Sequence, residues 1–259
     1  MVKEGINKMN KTAMLKLQLI RYLRGISLFL VVYLVSIGLF SFIAPLTKLS
    51  FDFDNLSYIF VIYLGIISWI ITGSSVKLFS YHSYSRQSII NMSSVVQLII
   101  SLLASLLLMG HTFLMGLFPT LSKDQAASQV RNIYISDLTT IPWLQVLLTI
   151  VFIMLAIFTL LQLTNLVLIS TYKMKRRNAI ILILVMALIV FGILFSLPFW
   201  SKSMIGVAIM VFGFLFGTGQ SMVPAIVIPL VILCLITLVS YLLSKKWLKQ
   251  LEIYKNISI

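Results

Sequence analysis

Charge is what this sequence has least of. Asp, Glu, Lys and Arg make up 10% of its 259 residues, and only 6 of them are acidic, against roughly a quarter charged in an ordinary soluble domain. A soluble globule of this length covers its core with polar residues. Here long windows have no polar face at all, so the apolar surface has to meet lipid. Cysteine is reduced to Cys234, which excludes an intrachain disulfide and a multi-cysteine metal site. The two histidines, His82 and His111, are far apart and have no Glu nearby, unlike the His and Glu spacing with which a membrane metalloprotease holds zinc.

Other absences narrow the function further. No Gly-Lys-Ser/Thr closes a glycine-rich turn, and the run 213–219 contains no lysine, so the device by which a P-loop cradles phosphates is missing. No acid falls within an apolar stretch and no Lys or Arg near the middle of one, which weighs against a proton pump or antiporter. Sodium held by backbone carbonyls is left open. About two dozen polar and basic residues precede the first apolar run without a small-residue cleavage pattern, so that run is expected to be retained as a span.

What is present is hydrophobic: 60% of the chain, including 12 Met, 17 Phe, 10 Tyr and 4 Trp. A crossing of a 30 Å hydrocarbon core takes about 20 helical residues. Six stretches meet this, at 25–46, 56–72, 89–118, 142–170, 179–200 and 223–243. They are too long, and too apolar on every side, for the alternating strands of a barrel. The expected fold is an all-α integral membrane protein of six transmembrane helices, one domain over 1–259. Residues 1–24 are expected as an interfacial helix, 25–243 as the membrane region and 244–259 as a tail. The block 205–243 is too long for one span and carries Gly213, Gly217, Gly219, Pro224 and Pro229. A re-entrant segment before the last helix, or a kinked helix, accounts for it.

The formal charge of +14 comes from short basic runs between apolar stretches, which suits anionic lipid headgroups and not nucleic acid. Lys3, Lys8, Lys11, Lys16, Arg21, Arg24, Lys77, Arg86, Lys173, Lys175, Arg176, Arg177, Lys245, Lys246, Lys249 and Lys255 all fall on one side of the six-span scheme. Lys48, Lys123, Arg131 and Lys202 fall on the other, with Asp52, Asp54, Asp124 and Asp137. The positive-inside rule then puts both termini in the cytoplasm.

Two sets of residues are candidates for function. The connection 73–91, polar, short and aromatic, carries Lys77, Phe79, Tyr81, Tyr84, Ser85 and Arg86; it reads as a segment along the membrane that docks into a partner's groove, or as a plain positive-inside loop. Within the spans, Gln97, Gln145, Gln162 and Asn165 stand out, with Gln220 further on. They read as the lining of a substrate path or as hydrogen-bonded glue between helices.

With its basic amphipathic start, the turn Tyr84-Ser85-Arg86-Gln87 in the first cytoplasmic connection, six spans with both ends inside, and a broken apolar segment before the last, the chain resembles the small six-helix permease subunits of bacterial ABC transporters of the ABC-2 type. It keeps the Ser-Arg pair but lacks the glycine that precedes it in many Gram-positive members. The resemblance implies that the region from Lys77 to Ser88 is an ATPase-coupling loop, that 201–222 is re-entrant, and that the chain sits in a bacterial plasma membrane. The expected partners are cytoplasmic ABC ATPase subunits, which bind the ATP, and a second permease copy or a related permease. No cofactor or enzymatic activity is expected of this chain itself. Methionines and aromatics adapt to varied apolar surfaces, which suits export of a hydrophobic or amphipathic cargo such as a peptide or lipid-linked molecule, and equally suits lipid-facing filler. A stand-alone secondary transporter or channel, and a non-transport membrane scaffold, are the rival readings.

Overall fold

A computed structural model describes residues 2–47, 56–81, 85–116, 141–173 and 222–255, and all regular structure among them is helical. In chain order the helices are α1 (Val2–Thr47), α2 (Leu56–Tyr81), α3 (Arg86–Gly116), α4 (Pro142–Lys173) and α5 (Met222–Lys255). Each holds a stretch long and apolar enough to cross a membrane: Thr12–Ser36, Ile59–Phe79, Gln87–Phe113, Pro142–Tyr172 and Val227–Lys249. The chain is thus a multi-pass helical membrane protein. The expected span 179–200 and nearly all of the expected re-entrant segment 201–222 lie outside the described residues.

Helix α1 differs from expectation. Residues 1–24 are not a separate interfacial helix, because α1 runs unbroken from Val2 to Thr47. No proline interrupts the junction at Arg24 and Gly25, and Met14, Gln18, Tyr22 and Ile26, spaced four apart, form one buried stripe across it. That stripe faces the bundle, so the basic segment is held by packing as well as by its charge. Helix α5 likewise runs through both of its prolines. Pro224 lies in the first turn, where no intrahelical N–H bond is owed, and Pro229 is accommodated inside the helix.

Helix α3 is the hub and touches each of the other four, while α4 lies against α2, α3 and α5, and α1 against α2 and α3. The apolar windows of α2 and α3 are both 44% buried, those of α1 and α5 only 11% and 17%, which puts α1 and α5 at the margins. Their outer faces, with Leu28, Val32, Leu34 and Val35 on α1 and Val231, Leu235 and Leu238 on α5, are exposed, as suits helices set against hydrocarbon.

Two apolar clusters fill the interior. One joins Ile26, Phe60, Leu64, Ile100, Ala104, Ile153, Ile157 and Leu161. The other lies toward the end that carries Lys77, Arg86 and Lys245, here called the basic end, and joins Met14, Val76, Phe79, Ile89, Ile90, Ile169 and Leu248 from all five helices.

Glycines set how closely α2 is approached. A Cβ on Gly25 would press into the Ile67 side chain, and the Gly25 carbonyl accepts a bond from the Tyr63 hydroxyl at 2.9 Å. On the opposite side Gly65 and Gly73 face Leu160, Thr164, Leu168 and Tyr172 of α4, and Tyr172 donates to the Gly73 carbonyl at 3.1 Å. Small residues admit such approach in membranes, where contact itself holds helices together. Gly25→Ala is expected to leave the thermal midpoint nearly unchanged, since the end of Ile67 can turn aside, whereas Gly25→Leu should separate α1 from α2 and cost about 1–3 kcal/mol. Thermal unfolding of the two variants in the same detergent checks this.

Candidate functional site

Between the two apolar clusters lies a polar layer to which four helices each contribute. Gln97 of α3 is fully buried and Asn165 of α4 nearly so. Their carboxamides close on one another: Gln97 Nε2 donates to Asn165 Oδ1 at 3.0 Å and Asn165 Nδ2 donates to Gln97 Oε1 at 2.8 Å. Gln97 Nε2 also reaches Ser68 Oγ of α2 at 2.8 Å and the Tyr22 hydroxyl of α1 at 3.5 Å. The Tyr22 hydroxyl itself donates to Ser68 Oγ at 2.9 Å. One turn away, Ser94 Oγ donates to Gln162 Oε1 at 3.5 Å.

The helices bring these groups together by periodicity. Ser94 and Gln97, like Gln162 and Asn165, are three apart and share a face. Antiparallel α3 and α4 set those faces opposite each other. Helix α5 is tied in separately, with Thr237 Oγ1 2.7 Å from Thr159 Oγ1 and the Tyr241 hydroxyl donating to Asn91 Oδ1 at 2.9 Å.

Three of the four in-span residues expected to matter, Gln97, Gln162 and Asn165, are therefore gathered. Gln145 is buried near the other end of α4, seventeen residues or roughly 25 Å along the axis from Gln162, and does not join them. Tyr22 and Ser68 were missed. Tyr22 lies in the basic segment expected at the interface, and Ser68 is a single hydroxyl in an apolar run. The signal that finds them is the polar spacing of Gln18 and Tyr22, and of Ser68, Thr72 and Ser75, along one face of each helix.

The connection between α2 and α3 is shorter than a surface helix would need. Lys77, Phe79 and Tyr81 belong to the end of α2, Arg86 begins α3, and Tyr84 lies outside the described residues. Ser85 caps α3: its Oγ accepts from the Ser88 N–H at 3.3 Å and its carbonyl from the Ile89 N–H at 3.2 Å. Lys77 is exposed, whereas Phe79 is buried with Ile89 and Ile90 in the cluster of the basic end. The connection is thus pinned on both sides to packing shared by all five helices.

Chemically the polar layer offers neutral donors and acceptors, with the Tyr22 phenol its sole ionisable group among the described residues. The chain matches no known protein family, no curated protein and no solved structure.

Breaking the amide pair from one side leaves the other carboxamide buried and unpaired. Gln97→Leu and Asn165→Leu should each cost about 1–3 kcal/mol, and the double variant less than their sum by about 1 kcal/mol. A double-mutant cycle on unfolding in lipid bicelles measures the coupling.

Proposed function

We propose that the chain is the membrane-spanning permease subunit of an ABC-2-type transporter. In this reading both termini are cytoplasmic, a sixth span falls in 179–200 and 201–222 is re-entrant. The chain works in a bacterial plasma membrane beside a second permease, and separate cytoplasmic ATPases supply the energy. ATP binding favours one of two arrangements of the assembly and so shifts the route from inward to outward facing. The cargo is hydrophobic or amphipathic, since the exposed faces and the interior are apolar and the polar layer is uncharged.

The observation that carries this reading is the anchorage of the α2–α3 connection. Phe79 on one side and Ile89 with Ile90 on the other pack with Met14, Ile169 and Leu248, so a push on the connection bears on every described helix. Lys77 is free to meet an acidic surface on a partner. A stand-alone transporter has no comparable feature in its favour, as among the described residues no carboxylate, imidazole or amine lies in the polar layer to take up a coupling proton.

Expressed with a neighbouring candidate ATPase, the protein is expected to co-purify with it, and Lys77→Glu with Arg86→Glu to abolish the association without loss of membrane insertion. A well-folded preparation that binds no ATPase would contradict the assignment.

A further inference from the structure

The three helices that surround Gln97 with α4 each extend their polar face one turn toward the basic end. Gln18 lies four residues before Tyr22 on α1. Thr72 and Ser75 follow Ser68 by four and seven on α2, and Ser93 precedes Gln97 by four on α3, so each shares a face with its neighbour in the network. All four are buried, with exposures of 1% for Gln18, 3% for Thr72, 0% for Ser75 and 3% for Ser93. Yet the Gln18 Nε2 and Oε1 atoms and the Ser75 hydroxyl have no hydrogen-bond partner, and the Thr72 hydroxyl has at most a poorly placed one in the Tyr22 phenol.

Register puts these groups opposite one another. The bonds from Tyr22 to Ser68 and from Arg21 to Ser74 fix antiparallel α1 against α2, and Gln18, one turn back from Tyr22, then faces the turn of Thr72 and Ser75. Buried polar groups that converge without protein partners are bridged by internal water, which makes about three hydrogen bonds per molecule. A cation is not favoured. Among the described side chains of α1, α2 and α3 there is no carboxylate to face the site, and Arg21, bonded to Ser74 on the neighbouring turn, brings positive charge next to it.

We propose that Gln18, Thr72, Ser75 and Ser93 enclose a water-filled chamber between α1, α2 and α3, holding about two molecules by the count of unmet hydrogen bonds. The Gln97–Asn165 pair closes it on one side and the Met14, Phe79 and Ile89 cluster on the other. Resting on the permease reading, the chamber is the hydrated inner end of the route, and the amide pair is the stop above it.

Radiolytic hydroxyl-radical labelling of the full chain in lipid nanodiscs tests this, because water held beside a buried side chain yields the radical in place. Tyr22, at the chamber's rim, is expected to be modified several-fold faster than Phe60, an equally buried aromatic in the apolar cluster with Leu64 and Ile100. Gln18→Leu should bring Tyr22 down to the Phe60 rate, while Gln18→Asn should keep it high. A wild-type Tyr22 labelled no faster than Phe60 would overturn the chamber even if Gln18→Leu fails to fold. Labelling unchanged in a folded Gln18→Leu would equally overturn it. No ATPase enters the measurement, so a dry chamber and a failure of the permease reading are seen separately.

Discussion

Hydrocarbon offers no hydrogen bonds, and from that constraint most of the structure follows. Every polar group carried into the bundle has to find its partner inside. Backbone groups do so by forming long helices. Side chains do so by gathering, and Ser101, Ser105, Thr112, Thr149 and Thr164 show the simplest solution, each donating to a carbonyl three or four residues back on its own helix. A carboxamide has too many donors and acceptors for that. Gln97 and Asn165 therefore need each other, and with Tyr22 and Ser68 they commit four helices to one relative position.

The energetic weight of this layer lies in what happens when it is opened. One interhelical bond in a membrane protein contributes about 0.6 kcal/mol, little more than thermal energy, but an unpaired buried amide costs about 1–3 kcal/mol. The layer consequently adds modestly to stability and strongly to specificity: sliding α3 by one turn past α4 would strand both amides at once. Apolar packing above and below is less demanding, since Leu, Ile and Val accept many registers, so the polar layer chooses among them.

Much of this was legible from residue order. Apolar runs without polar faces placed the starts of α2, α3, α4 and α5 within three residues, since hydropathy over twenty residues overwhelms local propensity, but α2 and α5 continue nine and twelve residues past their expected ends at 72 and 243. Helix α1 was legible only in its second half. Its first half reads as a basic surface segment because charge density hides the stripe of Met14, Gln18, Tyr22 and Ile26 beneath it. Gln97, Gln162 and Asn165 announce themselves as amides in spans, but their partners do not: a tyrosine and a serine are ordinary in a membrane helix until register sets them opposite an amide. Gln145 shows the converse, an in-span amide of the same type that the fold leaves apart. For the connection, composition drew attention to Lys77, Phe79 and Arg86, but not to Ile89 and Ile90, which anchor it together with Phe79 and look like any other apolar helix ends. Their role emerges only from contact with α1, α4 and α5.

At the centre of the account is an amide pair closed between α3 and α4 in the bilayer. Solid-state NMR on protein labelled at Gln and Asn and held in lipid bilayers tests it most directly. Through-space contact is expected between the Gln97 side-chain nitrogen and the Asn165 side-chain carbonyl, with both sets of amide protons slow to exchange into D2O. Two carboxamides without mutual contact and in rapid exchange would contradict it.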